Sequence, residues 1–367
     1  MGSDLLLVLA GDVMTGRGID QILPAPGSPR LHEEYVVDAR SYVDLAEHLN
    51  GPVPRAADPS WPWGDVLTTM RDAGPAVRVM NLETSVTTSD EIATGKGIHY
   101  RMNPANLDVL RAADVDVWSL ANNHVLDHGV PGLLETLESM HAAGLRTVGA
   151  GADEVEAWAC ARIPGEGRVL VTAVGHASSG VPWSWGAGPG RPGIALLPDL
   201  SDATAEKLAQ TMTDDGRDRD VRVVSVHWGG NWGYRVPDDQ RRFAHRLVDA
   251  GVHVVHGHSS HHPRPAEIYR GSLVLYGCGD LVNDYEGIGG YEGFRDDLRL
   301  LYLVRLDTAT GGLRSLTMIP FQSRRLTLRK ADPADVEWLA RTLDEASRRY
   351  GTSVVVAEDG LVLRPAG

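Results

Sequence analysis

The sequence predicts an α/β layered fold, and three observations carry the prediction. Apolar or β-branched runs recur as Leu5 to Asp12, Val77 to Glu83, Val115 to His124, Val221 to His227 and Val252 to His262. Continuous runs of this kind mark strands buried on both faces. Stretches with apolar residues at helical spacing lie between them, giving a β-α-β-α order in the first half of the chain. Each run also ends in polar side chains, so five strands carry chemistry at their tips and a single convergent site is expected.

In chain order, Leu5 to Ala10 is the first strand, and it breaks at Gly11-Asp12. Residues 18–75 are rich in proline, glycine and acidic residues, with helical patches such as Tyr42 to Leu49. They read as a long surface excursion, of a kind that is often functional. Val77 to Met80 is the second strand, tipped by Asn81-Leu82-Glu83. Asn103-Pro104 opens a helix to about Ala112, with proline at the first position, where its missing N–H costs nothing. Val115 to Leu120 ends in Ala121-Asn122-Asn123-His124. Leu133, Leu134, Leu137 and His141 then recur at helical spacing, and Gly144 closes that helix.

Arg168 to Val174 is a strand that precedes a second loop excursion, 176–200, holding Trp183 and Trp185. Arg222 to Val226 delivers His227-Trp228-Gly229-Gly230-Asn231-Trp232, and Pro237 to Ala250 is a helix with Phe243 and Leu247 on one face. The histidine-bearing strand follows, with five of the chain's 14 histidines inside residues 252–262. Leu273 to Gly279, Leu298 to Leu306 and Leu316 to Ile319 are further strands, and residues 332–367 read as a helix plus a closing hairpin. There is no internal repeat, low-complexity tract or linker, so residues 1–367 are expected to form a single domain.

The formal charge of -14 argues against nucleic acid or an anionic membrane as a partner, since neither would meet a basic surface. No window approaches the roughly 18 apolar residues that span a bilayer. The N-terminus lacks a basic region, and Leu5 to Ala10 is too short for a signal segment. The two cysteines, Cys160 and Cys278, suggest neither a disulfide framework nor a thiolate zinc site. A cytoplasmic protein is expected.

The strand tips carry the candidate chemistry. Asp12 can bind a metal, accept an imidazole N–H or cap the following turn. Glu83 can serve the same site or stand as a solvated loop carboxylate. Asn122, Asn123 and His124, with Asp127 and His128, combine oxygen and nitrogen donors, although a helix-capping turn has the same composition. An imidazole beside a carboxylate gains a fixed tautomer and a raised pKa, which suits a proton shuttle. His227 and His258 each end a strand, with His261 three residues on, and imidazoles projecting from adjacent parallel strands can share one divalent ion. Asp280, Asn283 and Asp284 can support the site or serve as turn residues. Nine tryptophans stand against three phenylalanines. Trp183, Trp185, Trp228 and Trp232 lie near the tips, where indoles can line a pocket for an apolar or peptide ligand or pin loops to the body.

Taken together, several blocks resemble the CapA family of poly-gamma-glutamate synthesis proteins, which is similar to a branch of the calcineurin-like metallophosphatases. They are Gly11-Asp12-Val13-Met14-Thr15-Gly16-Arg17, Asn81-Leu82-Glu83-Thr84, Ala121-Asn122-Asn123-His124 with Asp127, His227-Trp228-Gly229, Gly257-His258-Ser259-Ser260-His261 and Tyr276-Gly277-Cys278-Gly279-Asp280. The resemblance implies a four-layer α/β/β/α sandwich with a metal site at the strand ends. It also implies Glu83, Asn123, His227 and His258 as metal ligands, with His124 resembling the phosphatase general acid and His261, Asp12 and Asp127 completing the proton-moving set.

Two departures from the phosphatase pattern matter. Met14 stands where an Asp-x-His motif would place a ligand, and thioether sulfur suits a hard cation poorly. Glu83 alone stands where a bridging aspartate motif is expected. The implied site therefore holds one divalent ion (calcium, magnesium or manganese by its oxygen donors, with zinc also suited by its imidazoles) and no organic cofactor. One ion, histidine–carboxylate pairs and no evident nucleophile point to proton abstraction next to a carbonyl. The chain is also similar to the CapA-like peptide epimerases of lasso-peptide pathways. The expected activity is a metal-dependent peptide epimerase, an isomerase inverting the Cα of a C-terminal, aromatic residue of a ribosomal peptide precursor. Trp183, Trp185, Trp228 and Trp232 would bind that substrate. Two alternatives stand beside it: a hydrolase or poly-gamma-glutamate biosynthesis protein of the CapA type, and a non-catalytic module holding an anionic polymer through the metal.

Overall fold

The apolar run that opens the chain becomes an interior strand of the larger of the two main sheets. In this computed structural model, which describes residues 4–74, 76–165, 168–215 and 220–366, the strand spans Asp4–Val13. It pairs in parallel with Val77–Leu82 on one side and antiparallel with Leu298–Asp307 on the other. Val117–Ser119 and Thr147–Val148 extend the sheet beyond Val77–Leu82, and Leu313–Ser323 extends it beyond Leu298–Asp307. The C-terminal hairpin Thr352–Ala357 and Gly360–Pro365 adds at that same edge and packs against helix Pro333–Arg348.

The second sheet runs in the order Leu196–Leu197, Val169–His176, Val221–His227, Val254–His258, Ser272–Leu275 and Ala266–Tyr269. Its central strands are parallel, and alternate side chains serve different layers. Val221, Val223 and Val254 join the core shared with the first sheet, whereas Val224, Val226 and Val255 pack with Phe243 and Leu247 of helix Asp238–Asp249. Leu208 and Met212 of helix Asp202–Asp215 complete that outer layer. The sheets meet face to face, and His256 Nε2 reaches the Ala10 carbonyl oxygen across the junction at 2.9 Å. Val43, Val66 and Leu133, from helices Arg40–Asn50, Asp65–Asp72 and Gly129–Ala142, pack into the core of the first sheet. The layers are the α/β/β/α sandwich that the family resemblance implies, within the α/β class that the sequence pattern predicts.

Three local features differ from the sequence reading. The 18–75 segment is more than a surface excursion: Ile19, Ile22, Val43, Trp63 and Val66 are buried, and the Trp63 indole donates to the Val109 carbonyl at 2.7 Å. Its last residue, 75, lies outside the described residues. The run through Leu273 to Asp280 is two strands. Ser272–Leu275 stays in the second sheet, while Asp280–Val282 crosses to pair in parallel with the first strand. Excursion 176–200 is also ordered, contributing the edge strand Leu196–Leu197. Among the described residues, no helix is long and apolar enough to cross a membrane.

Candidate metal centre

The strand tips converge because their registers align them. His227 pairs with His258 across adjacent parallel strands, and Asp12 pairs with Asn81 on one side and Asp280 on the other. Close approach at Asp12 depends on Gly11, where a Cβ would lie 1.9 Å from the Gly279 carbonyl oxygen. Ser259, directly after His258, takes a left-handed φ of 100° and donates its backbone N–H to Asp12 Oδ2 at 3.0 Å. A non-glycine residue held in that region stores strain, as residues fixed by a functional constraint often do.

At the centre, His227 Nδ1 and His258 Nδ1 lie 2.8 Å apart, with Asp12 Oδ1 at 4.0 and 3.7 Å from them. The other nitrogen of each ring is already engaged. His258 Nε2 is 2.8 Å from Ser225 Oγ, and His227 Nε2 is 2.9 Å from Asn123 Oδ1. An amide oxygen only accepts, so His227 carries its hydrogen on Nε2 and leaves Nδ1 as a lone pair. Burial drives both imidazoles well below their ordinary pKa, with like-charge repulsion from His124 on His227 and from His227 on His258 adding to it. Both rings are thus neutral, the form that ligates metal.

Three buried carboxylates crowd the same spot. Burial, and then Asp280, push Asp12 up to about 7, while burial and Asp12 raise Glu83 well above the usual range. Glu83 Oε2 is buried and finds no hydrogen-bond partner among the described residues. The free lone pair on His227 Nδ1 and mutually repelling carboxylates are what a divalent cation relieves, so the donor set fits one. Asp12, His227 and His258 form the cluster that can hold it. Of the expected ligands, Glu83 and Asn123 lie along the opposite, Nε2 edge of the His227 ring, Glu83 Oε1 at 3.7 Å.

Two histidine–aspartate dyads flank this cradle. His124 Nδ1 is 2.6 Å from Asp127 Oδ2, which also accepts the Tyr100 backbone N–H at 2.7 Å. His124 Nε2 points to Glu83 Oε1 at 3.6 Å. Lys96 donates to Asp127 Oδ1 and to the Asn123 carbonyl. On the other side, His261 Nδ1 lies 3.1 Å from Asp280 Oδ1, and Asn283 donates to Asp280 Oδ2 at 2.6 Å. His261 Nε2 stands 3.0 Å from the Asn231 amide nitrogen.

The two imidazoles are biased in opposite directions. Burial depresses His124 to about 4 and overrides the pull of Asp127, so the raised pKa expected from a neighbouring carboxylate is corrected while the fixed tautomer stands. Burial also acts against His261, but there Asp280 prevails and the pKa is raised. Asp127, despite its own burial, is held down at about 2 by His124 and Lys96.

The tryptophans divide. Trp183 is 60% exposed beside His176, and Trp185 lies 5.0 Å from Lys96 Nζ. Trp232 stacks on Tyr291 at 4.1 Å and sits 5.4 Å from His261. Trp228, expected to face substrate, is fully buried against Phe243 in the outer core and donates to the Tyr276 carbonyl, so it has no surface to offer a ligand. His128 also turns away from the site, toward His99. Lys96, Tyr100 and Tyr285, which adjoin the dyads, carry no sequence pattern that singles them out.

A family model described as bacterial capsule synthesis protein PGA_cap matches residues 6–285. A probable polyglutamine synthesis accessory protein of Mycobacterium tuberculosis is 49% identical over 359 residues, covering 97% of this chain and 94% of that protein. The PGA biosynthesis protein CapA of Bacillus subtilis is 25% identical over 328 residues, covering 89% and 72%. Among solved structures, a novel phosphatase from Mycoplasma pneumoniae superposes with a TM-score of 0.47 at 14% identity, covering 92% of this chain and 98% of that one. A 5'-nucleotidase precursor from Thermus thermophilus gives 0.49 at 15% identity, covering 95% and 58%.

Proposed function

This chain belongs to the bacterial capsule synthesis protein PGA_cap family, and from that premise we propose that it is a metal-dependent acid/base enzyme acting on a peptide-like chain. In its specific form the reaction is epimerisation, the exchange of a Cα hydrogen next to a carbonyl with inversion. The observation that carries the reading is the pair of histidine–aspartate dyads, one imidazole depressed and the other raised, on either side of a carboxylate-lined cradle. Titratable groups driven apart in this way divide the roles of base and acid.

Asp12, His227 and His258 would hold the ion, with Glu83 and Asn123 beside it. A bound divalent cation supplies positive charge that makes the hydrogen alpha to a neighbouring carbonyl more acidic. His124, neutral and oriented through Nδ1 by Asp127, takes that proton at Nε2. His261, oriented through Nδ1 by Asp280, returns a proton from Nε2 on the opposite face when it is imidazolium. The Asn231 amide is then turned so that its oxygen rather than its nitrogen meets Nε2. Trp232 and Tyr291 would wall the His261 side and Trp185 the side of Lys96, with Trp183 exposed beside His176 as a further contact for substrate. Relatives named for PGA and capsule biosynthesis bring glutamyl chains into the substrate class alongside peptides with an aromatic end.

Mass spectrometry and chiral amino-acid analysis after incubation in heavy water with magnesium or manganese test this. Deuterium should enter one α-position of a glutamyl or aromatic-ended peptide, with both configurations recovered. Failure of deuterium to enter any such peptide would remove the reading. A second reading, hydrolysis of an amide or phosphoester, is favoured by the His124–Asp127 dyad, which can protonate a leaving group. Manganese-dependent turnover of a generic phosphoester without α-deuteration would select it.

A further inference from the structure

The first-strand block ends in Arg17, a residue that the cradle itself does not use. Arg17 is buried at a left-handed φ of 47°. Its guanidinium bonds Asp284 Oδ1 at 2.5 Å and Oδ2 at 3.1 Å, and Glu33 Oε1 at 2.9 Å. It lies 3.8 Å from the centre of the Tyr42 ring and 4.6 Å from that of Tyr100. Buried ion clusters of this kind often add little net stability over apolar packing, and fixed geometry is what they can supply.

That geometry reaches both dyads. The Tyr100 and Tyr285 hydroxyls share a hydrogen bond of 2.7 Å. The Tyr100 ring meets the His124 ring edge-on at 4.4 Å, and the Tyr285 ring meets His261 at 5.1 Å. Asp284, which Arg17 grips, is the residue before Tyr285, and the Tyr100 backbone N–H holds Asp127. An unbroken line of contacts therefore runs from one imidazole to the other through two phenol rings, anchored from below by one arginine.

We propose that Arg17 and the Tyr100–Tyr285 pair are positioning residues that fix His124 and His261 relative to each other; the proposal rests on the two-imidazole reading above. A reaction needing one imidazole on each face of a carbon needs their separation fixed, and misplacement of about 1 Å can cost on the order of a hundredfold in rate. The hydroxyl-to-hydroxyl bond is the direct link between the two phenols, beside the bridge that Arg17 makes over both rings, and removing either hydroxyl opens it.

The test uses the full-length, magnesium-loaded protein, 15N-labelled at histidine, as Tyr100→Phe, Tyr285→Phe and the double variant, each of which keeps its rings. Each single substitution should move the Nδ1–H resonances of both His124 and His261, including that of the remote imidazole. In α-deuteration each should lower kcat by about tenfold with KM unchanged, and the double variant should be no slower than the singles, because all three break one bond. If each substitution moves only the adjacent imidazole, or the rate losses multiply, the proposal is overturned. The resonances are read without substrate, so absence of exchange on every peptide would strike the acid/base reading alone, while the spectra decide the positioning role by themselves.

Discussion

His227 Nδ1 and His258 Nδ1 face each other at 2.8 Å at the ends of adjacent parallel strands, each ring held from behind through its other nitrogen. Two neutral imidazoles with converging Nδ1 atoms, beside the Asp12 carboxyl, make a site that a cation between them would stabilise. His258→Ala is therefore expected to abolish tight metal binding, read as ions per chain by elemental analysis. The stabilisation that manganese gives the parent, roughly 2.7 kcal/mol at a hundred times Kd, should vanish with it. A variant that still holds a full ion would show that the cradle lies elsewhere.

Asp12 and Glu83 approach different edges of the same imidazole. Asp12 lies on the Nδ1 side of His227 with His258, and Glu83 on the Nε2 side near His124. Asp12→Asn should weaken metal affinity more than Glu83→Gln, while Glu83→Gln should depress the rate more than the affinity. Isothermal titration with manganese and steady-state kinetics check the pair, and the reverse order would reassign the ligand set.

His124→Ala should leave the metal content and the circular dichroism unchanged while lowering kcat by on the order of 10²–10⁴-fold, the usual contribution of a positioned general base. A loss below threefold would remove His124 from the chemistry.

Much of this is legible in the chain because strand ends announce themselves. His227 and His258 close β-branched runs whose parallel pairing places their tips side by side. The period of two also holds the clue to Trp228: neighbours along a strand face opposite sides, so a residue beside an inward His227 points into the outer core. The contributions of Lys96 and Tyr100 are not legible. They sit in a segment without periodicity, and only folding brings them to Asp127. Asp280 reads as support for the site, but its crossing to the first sheet is hidden, because a glycine-rich break looks alike whether a strand continues or changes sheets.

Away from the site, His253 gives a pH-dependent stability. Its Nδ1 accepts the Arg222 backbone N–H at 3.0 Å, and burial lowers its pKa to about 4. The folded state thus refuses a proton that the unfolded chain accepts near 6.5, so the contribution is complete above 6.5 and is lost as pH falls toward 4. The limit is on the order of 3 kcal/mol. His253→Asn, which keeps an acceptor without a titration, should show a smaller loss of stability between about pH 6.5 and 4 in urea melts. Identical slopes would refute the assignment.

Lys96 offers the sharpest check on the acid/base assignment. Its ammonium bonds Asp127 and lies 3.3 Å from His124 Nδ1, and its charge adds to burial in holding His124 down. Lys96→Met removes that repulsion and leaves Asp127 with His124 and the Tyr100 backbone N–H as partners, so the pKa of His124 must rise. A general base works only when neutral, so the acid limb of the pH–rate profile should move to higher pH, with the plateau kcat less affected than kcat/KM near about pH 6. If His124 acts instead as a general acid in hydrolysis, the same substitution moves the alkaline limb upward and broadens activity at high pH. The direction in which one limb moves therefore separates proton abstraction from leaving-group protonation, and an unmoved profile would exclude His124 from both.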